Sequence, residues 1–252
     1  MLVGLSWKDK AIQNFDRCAH SYEQYGGVQD IVASHLAADL PFVEGGSILE
    51  IGCGTGLLTK HLVGQRHLGL NLHVTDISSR MVQQAKANLG NHRIHWSILD
   101  AEKQQSGQKY DLIIASMACQ WFEDFQRGMK NVVEMLNPGG TFYFSLPGPD
   151  SFKEWRDTLK TIGLSSGMLD FHVPKGLYKE EMIIRPCQDS LDFLRSLKNL
   201  GAASARKNHQ PLTIPQMKAA CAAFDAQNFK QITWHILYGR ITKNQETRGM
   251  HV

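Results

Sequence analysis

The stretch Ile48-Leu49-Glu50-Ile51-Gly52-Cys53-Gly54-Thr55-Gly56 decides the fold of this chain. It joins an apolar run, which is typical of a buried strand, to three glycines at alternate positions, and the residues from Leu57 onward have the pattern of a helix. A strand, a tight glycine turn and a helix form the first half of a nucleotide-binding βαβ unit. Glycine lets the backbone reach positive φ and leaves main-chain N–H groups open to a ligand.

From this stretch onward strands alternate with helices, which predicts an α/β fold with a doubly wound, mostly parallel sheet. The predicted strands are 47–51, 70–75, 93–98, 110–116 and 141–146, and the predicted helices are 8–25, 28–40, 57–63, 79–89 and 125–136. Asn137-Pro138-Gly139-Gly140 predicts a turn before the fifth strand. Ligands of such sheets bind outside the carboxyl ends of the strands.

The alternation stops after Leu146, where Pro147-Gly148-Pro149 breaks the chain. We predict further helices at 151–162, 190–200 and 215–224, and strands at 181–187 and 231–242. The chain is predicted to be one domain over residues 1–242, divided into N-terminal helices (8–40), a cofactor-binding core (47–146), an inserted helical cap or substrate elaboration (151–230) and a late strand (231–242). Residues 243–252 are expected to be a disordered tail.

The composition disfavours several classes of function. A net charge of +3 over 252 residues gives little support for nucleic-acid binding. The five cysteines are scattered without a C-x-x-C pair, so neither a disulfide framework nor a zinc site is predicted, and no metal is expected. No apolar run approaches membrane-spanning length. We expect a cytoplasmic protein, without a membrane or nucleic-acid partner, that is a monomer.

Three residues near the glycine loop identify the ligand class. Leu57 stands where a dinucleotide fingerprint has its last glycine, and Glu50 would repel a pyrophosphate but favour an ammonium group, so a dehydrogenase is disfavoured. Asp76 ends the next apolar run, at the position of the acid that holds ribose hydroxyls. A ligand with an amino group, a ribose and no phosphate is S-adenosylmethionine. The loop with Glu50 and Asp76 resembles the first motifs of the class I methyltransferases.

Other polar residues stand where further strands end. Asp100-Ala101 could accept a hydrogen bond from the adenine amino group, although a solvated loop acid has the same pattern, and Ser116 ends the fourth strand. On the first helix, Tyr22 and Arg17 have polar tips that could close over the cofactor, whereas Phe15 could simply pack. The full predicted cofactor-binding set is Phe15, Arg17, Tyr22, Glu50, Gly52, Cys53, Gly54, Gly56, Asp76, Ile77, Met81, Asp100, Ala101 and Ser116.

Longer stretches resemble one family, the malonyl-[acyl-carrier protein] O-methyltransferases of biotin synthesis. They are Phe15-x-Arg17-x-Ala19-x-x-Tyr22-Glu23, residues 49–56, Ala118-Cys119-Gln120-Trp121, residues 136–140, Ser196-Leu197-Lys198-Asn199-Leu200-Gly201-Ala202 and Tyr238-Gly239. Together they cover most of residues 8–242. One departure is Cys18-Ala19, where the family often has two alanines.

The resemblance implies transfer of a methyl group from S-adenosylmethionine to the free carboxylate of a malonyl group on acyl carrier protein, which gives the malonyl methyl ester and S-adenosylhomocysteine. It implies that the resulting ester primes pimeloyl synthesis because it hides a charge. Under this hypothesis Tyr22 and Gln120 are catalytic, and the residues that bind the substrate are Trp121, Arg195, Lys198 and Arg206. The last three belong to a basic stretch between residues 195 and 210 that contains no Asp or Glu and would attract an anion.

Alternatives remain open at the level of sequence. A small-molecule methyltransferase acting on a free carboxylic acid or on carbon would have the same cofactor motifs. A regulator that binds S-adenosylmethionine without turnover would also have them. An RNA methyltransferase is disfavoured by the mild charge and by the lack of an appended RNA-binding module.

Overall fold

The computed structural model describes residues 6–41, 45–64, 71–90, 94–171, 173–202, 209–227 and 230–244. The strands are β1 (Ile48–Ile51), β2 (Leu72–Asp76), β3 (His95–Ile98), β4 (Tyr110–Ser116), β5 (Leu136–Pro147), β6 (Leu177–Pro186) and β7 (Gln231–Thr242). The helices are α1 (Trp7–Cys18), α2 (Tyr22–Tyr25), α3 (Gly27–Ala38), α4 (Leu57–Gly64), α5 (Ser79–Leu89), α6 (Phe125–Glu134), α7 (Lys153–Thr161), α8 (Ser190–Asn199) and α9 (Ile214–Asp225).

The seven described strands form one sheet in the order β3-β2-β1-β4-β5-β7-β6. Strands β1 to β5 pair in parallel, whereas β7 runs antiparallel to both β5 and β6. The strand order reverses between β1 and β4, so the carboxyl ends of these two strands border the crevice where such sheets bind ligands. The predicted mostly parallel α/β sheet is therefore confirmed.

Side chains alternate between two cores, one on each face of the sheet. On β4, Leu112 and Ile114 belong to the core under α3 and α4, whereas Ile113 and Ala115 belong to the core under α6. Burial on both faces explains why the central strands are almost uniformly apolar in sequence. Helices on both faces also hold β1, β2 and β4 so that their carboxyl ends lie together at one end of the sheet.

The N-terminal region differs from its prediction as a single helix over residues 8–25. Helix α1 begins at a capping box in which Ser6 and Asp9 bond to each other's backbone N–H groups, and it ends at Cys18. The chain turns at residues 19–21 and resumes as the short helix α2. The apolar spacing continues across the turn because Tyr22 still packs against the core, so periodicity alone cannot show the break.

Two other predictions are wrong in detail. Residues 137–140 are not a separate turn but the first part of β5, where the register with β4 shifts and Gly139 has φ 83°. A β-bulge, like a turn, can require a glycine with positive φ, which explains why these residues were predicted to form a turn. The predicted strand at 181–187 is the longer edge strand β6, and the predicted tail lies outside the described residues from residue 245 onward.

Candidate active site

A cavity of about 460 Å³ opens at the carboxyl ends of the parallel strands. The loops after β1, β2, β3 and β4 form its floor, and residues of α1, α2, α8 and the loop after α7 form its walls. The sheet topology therefore brings together segments that are far apart in sequence. This is the position at which the strand pattern predicts a ligand site.

The glycine loop after β1 is held in a conformation that favours glycine. Gly52, Gly54 and Gly56 have φ values of 70°, 53° and 96°. A Cβ on Gly52 would lie 2.4 Å from the Cβ of Ala118, and one on Gly56 would lie 2.9 Å from Leu89 Cδ1 of α5. A Cβ on Gly54 would meet nothing within 4 Å. The outer glycines thus permit close packing of the protein, whereas Gly54 borders the open cavity.

Asp76 fixes the shape of this loop. Its Oδ2 accepts a hydrogen bond of 2.9 Å from the N–H of Gly54, and its Oδ1 accepts one of 2.8 Å from the N–H of Ser78. The carboxylate also lines the cavity, where its remaining lone pairs can accept bonds from ligand hydroxyls. Burial raises the pKa of Asp76 to about 6 despite these backbone bonds.

Glu50 lies behind the loop rather than on the cavity wall. Its Oε2 accepts a hydrogen bond of 2.7 Å from Thr59, and its Oε1 is buried without a partner among the described residues. Burial raises the pKa of Glu50 to about 8. A cation bound against the loop would stabilise the ionised carboxylate, so this unpartnered oxygen fits a ligand that has an ammonium or a sulfonium group.

The adenine end of the predicted site contains a buried ion cluster. Asp100 lines the cavity, and its Oδ1 accepts a bond of 2.6 Å from Lys8 Nζ of α1. Lys8 also bonds to Glu102 Oε2 at 2.6 Å, and Glu102 further accepts bonds from the N–H groups of Glu123 and Asp124. Burial alone would raise the pKa of Glu102, but these donors lower it to about 2. The cluster ties α1 to the loops after β3 and β4.

Aromatic residues of α1 and of the loop after β4 close one side of the cavity. Trp121 stacks on Trp7 with ring centroids 6.0 Å apart and meets the edge of Phe15 at 5.1 Å. Tyr22 of α2 also lines the cavity, and burial, with a smaller effect from the charge of Asp76, raises the pKa of its hydroxyl. No hydrogen bond joins this hydroxyl to another described residue, so it is available to a ligand.

Polar groups of the loop after β4 also reach the cavity. Gln120 Nε2 donates a bond of 2.6 Å to the carbonyl of Met117, and Gln120 Oε1 is buried without a partner in the described part of the chain. Ser116 Oγ lies 3.3 Å from Ser145 Oγ. Gln120 is therefore oriented by the backbone and has one acceptor left for a ligand.

The other half of the cavity is an apolar chamber, which we define by Phe152, Trp155, Phe171, Leu194, Leu212 and Trp234. Phe152 packs edge-on against Trp234 at 4.6 Å, and Trp155 is 2% exposed. Trp155, Leu194 and Trp234 belong to α7, α8 and β7, whereas Phe152 precedes α7, Phe171 lies between α7 and β6, and Leu212 lies just before α9. The chamber continues directly from the loop that contains Ser116 and Gln120.

Most of the predicted site residues lie on the cavity wall. Those that line it are Phe15, Tyr22, Gly52, Cys53, Gly54, Asp76, Ile77, Met81, Asp100, Ala101, Ser116, Gln120 and Trp121. Glu50 and Gly56 support the loop from behind. The structure does not bring Arg17, Arg195 or Lys198 to the wall: all three are exposed on the outer faces of α1 and α8. Arg206 lies outside the described residues.

Lys8, Gln29 and His209 also lie on the wall and were not predicted from the sequence. Lys8 stands seven positions before Phe15, and this spacing places both residues on one face of α1. That spacing is a signal that could have identified Lys8. His209 belongs to the stretch at residues 195–210 that was predicted to attract an anion, but no pattern in the sequence distinguishes it from its neighbours.

Two further features of the described residues bear on the site. No group of three or more His, Cys, Asp or Glu side chains among them could hold a metal ion. All five cysteines are described and free. Within the described ranges, no helix has both the length and the apolar character that crossing a membrane requires.

Comparison with known proteins agrees with this geometry. A family model described as a methyltransferase domain matches residues 49–142. The phosphoethanolamine N-methyltransferase 2 of Haemonchus contortus, solved with S-adenosyl-L-methionine, superposes with a TM-score of 0.56 at 14% identity, covering 96% of this chain and 61% of that one. This similarity shows the fold.

Two curated relatives are similar over nearly the whole chain. A biotin biosynthesis bifunctional protein of Bordetella avium is 35% identical over 97% of this chain, which spans 54% of that protein. A malonyl-[acyl-carrier protein] O-methyltransferase of Magnetococcus marinus is 30% identical, covering 95% of this chain and 94% of that protein. These similarities agree with the glycine loop after β1, with Asp76 and with the cavity described above. This chain belongs to the malonyl-[acyl-carrier protein] O-methyltransferase family.

Proposed function

We propose that the protein transfers a methyl group from S-adenosylmethionine to the free carboxylate of a malonyl group carried by acyl carrier protein. The products are S-adenosylhomocysteine and the malonyl methyl ester, and the ester would serve as a primer in biotin synthesis. The observation that supports this most is the continuity of the cavity. It joins the cradle formed by Gly54, Asp76 and Asp100 to the apolar chamber, so that a cofactor and an acyl acceptor could meet inside the protein.

The side chains near the cradle suit this chemistry. S-adenosylmethionine supplies an activated methyl group on a sulfonium. Glu50 and Asp76 favour that positive charge, and Asp76 and Asp100 offer acceptors for hydroxyl and amino groups. A carboxylate acceptor is already ionised at neutral pH, so no general base is needed. The protein's contribution is then alignment and exclusion of water.

Alignment and desolvation are tasks that the chamber can perform. Holding two reactants in line can lower a barrier by roughly 7–11 kcal/mol. The buried Trp155 and the packed pair Phe152 and Trp234 keep water from one side of the reacting groups. Tyr22 and Gln120 are the polar groups that we assign to orient the reactants, since each offers a group without a described partner to the cavity.

A basic strip on the surface could attract the acyl carrier. We define it as Arg17 of α1 with Arg195 and Lys198 of α8. Cys18 Sγ lies 3.2 Å from the carbonyl of Lys198, so the ends of the two helices touch. Leu194 and Leu197 of the same helix line the cavity. An acidic carrier held on the strip would stand beside the chamber that its acyl arm must enter.

The test is a comparison of acceptors. The purified protein is incubated with S-adenosylmethionine and with malonyl-carrier protein, malonyl-CoA or free malonate, and methyl ester is followed by mass spectrometry. We expect a strong preference for the carrier-linked substrate. Turnover of free acids alone would assign the protein to small-molecule methylation instead. Cofactor binding without any product would favour a regulator that does not catalyse.

A further inference from the structure

The apolar chamber presents an electrostatic problem for a carboxylate substrate. Moving an anion out of water is costly unless it is hydrogen-bonded or paired. Among the described residues that line the cavity, only Lys8 and His209 can carry a positive charge. The ammonium of Lys8 already bonds to Asp100 and Glu102 at the adenine end. A partner for the substrate must therefore come from elsewhere on the wall.

His209 has the position and the chemistry of that partner. It precedes Leu212 of the chamber and lies on the cavity wall. Its ring packs over Gly167, where a Cβ would lie 2.3 Å from both Cδ2 and Nε2 of the imidazole. Gly167 is buried and has φ 65°, so it provides the space that the ring occupies. No hydrogen bond joins the ring to another described residue.

From this geometry we infer that His209 binds the free carboxylate of the acceptor, and that Gly167 positions its ring. This inference rests on the proposed function and names the contact by which the enzyme would recognise a charged acyl end. An imidazole donates an N–H bond in either protonation state. The bond is made to the carboxylate but much less strongly to its methyl ester, which has lost the charge. His209 thus discriminates substrate from product.

The first experiment compares substrate with product. His209→Phe keeps a ring without donors, and His209→Gln keeps an N–H donor group without the ring. KM and kcat are measured with malonyl-carrier protein, and the malonyl methyl ester on the same carrier is tested as an inhibitor. For His209→Phe we expect a KM at least about ten-fold higher, as for loss of a bond to a charged group. The inhibition constant of the ester and the Kd of S-adenosylmethionine should each change by less than about two-fold. His209→Gln should recover part of the KM.

Two glycine variants distinguish an effect of the His209 ring position from a general loss of stability. Gly167→Ala places a Cβ against His209 and should raise KM as His209→Phe does. Gly163→Ala introduces the same backbone strain, since its φ is 72°, but its Cβ would meet nothing within 4 Å. This control should lose only the stability that the backbone strain costs and keep the wild-type KM. Thermal unfolding of both variants shows how much further stability the contact with His209 costs.

The outcomes distinguish the two proposals. If wild-type protein methylates malonyl-carrier protein but His209→Phe keeps its KM, the role of His209 is wrong while the proposed function stands. An equal weakening of substrate and ester by His209→Phe would also overturn it, because packing alone would explain that result. If the wild-type protein methylates none of the acceptors, the proposed function fails, and the role of His209 fails with it.

Discussion

Lys8 Nζ lies 2.6 Å from Asp100 Oδ1, although the two residues are 92 positions apart in sequence. The same ammonium bonds to Glu102, whose side chain is fully buried. One ammonium group of α1 therefore pairs with two acids behind the adenine end of the cavity. The first helix is an integral part of the cofactor site rather than a separate appendage.

Replacing Lys8 should destabilise the protein. Lys8→Met leaves Glu102 buried with fewer donors, and breaking a buried ion pair in this way typically costs about 3 kcal/mol or more. We expect a loss of that size in the free energy of unfolding, measured in urea, and weaker cofactor binding. Lys10→Met, at an exposed position of the same helix, is the control and should change stability little. Equal effects of the two variants would contradict the role of the cluster.

Stability should depend on pH through Glu50. Its pKa is about 8 in the folded protein and near the ordinary value of 4.5 when unfolded. The folded state therefore holds a proton that the unfolded state releases, so the free energy of unfolding falls as pH rises from about 4.5 to 8. Glu50→Gln should flatten this part of the stability curve, measured by thermal unfolding without ligand. A slope unchanged by the substitution would refute the assignment.

Two glycines of the loop should respond differently to alanine. Gly52→Ala combines left-handed strain with a contact of 2.4 Å to Ala118, so a loss of roughly 2–4 kcal/mol in unfolding free energy is expected. Gly54→Ala has only the strain, about 1 kcal/mol, but places a methyl group at the edge of the cavity. We expect Gly54→Ala to lose cofactor affinity out of proportion to stability, as measured by calorimetry and urea unfolding. The reverse order would contradict our account of the loop.

The hydroxyl of Tyr22 should affect turnover. Tyr22→Phe removes a cavity-facing group that has no described partner, so about five-fold slower turnover is expected from loss of one hydrogen bond to a reactant. Tyr22→Ala should be slower still because the wall opens to water. Tyr25→Phe, on the same short helix but 41% exposed, should match the wild type. Full turnover by both Tyr22 variants would remove Tyr22 from the mechanism.

The basic strip should act on the carrier and not on the cofactor. Arg195→Glu and Lys198→Glu reverse charges at exposed positions outside the cavity, so we expect a higher KM for malonyl-carrier protein and an unchanged Kd for S-adenosylmethionine. The difference should shrink as salt is added. Lys130→Glu on α6, under the other face of the sheet, is a control with the same charge change. A salt-independent effect would argue against electrostatic docking.

The sequence predicted the parts of the fold that depend on local chemistry. The strand, glycine loop and helix at residues 48–64 follow from positive φ values that favour glycine, and Asp76 follows from its place at the end of β2. Residues 137–140 were misread because a turn and a bulge require the same backbone freedom at Gly139. The apolar spacing continues across the break between α1 and α2, so it could not reveal that break.

Long-range contacts could not be predicted in the same way. The bond between Lys8 and Asp100 and the packing of His209 over Gly167 depend on how distant segments meet, which no local pattern encodes. The basic residues Arg195 and Lys198 were predicted to hold the substrate because they lie in or beside the family-like stretch at residues 196–202 and have no acids nearby in the sequence. Their helix turns its leucines toward the chamber, so the side chains of these two residues face outward.

The position of β7 has a consequence for how the protein is made. This strand is inserted between β5 and β6, and its Trp234 supplies part of the chamber wall. During synthesis β6 has no neighbour in the sheet until the ribosome has passed Thr242 and released that length of chain. The nascent protein can therefore assemble its cofactor loop early, but it can enclose an acceptor only after β7 has been made.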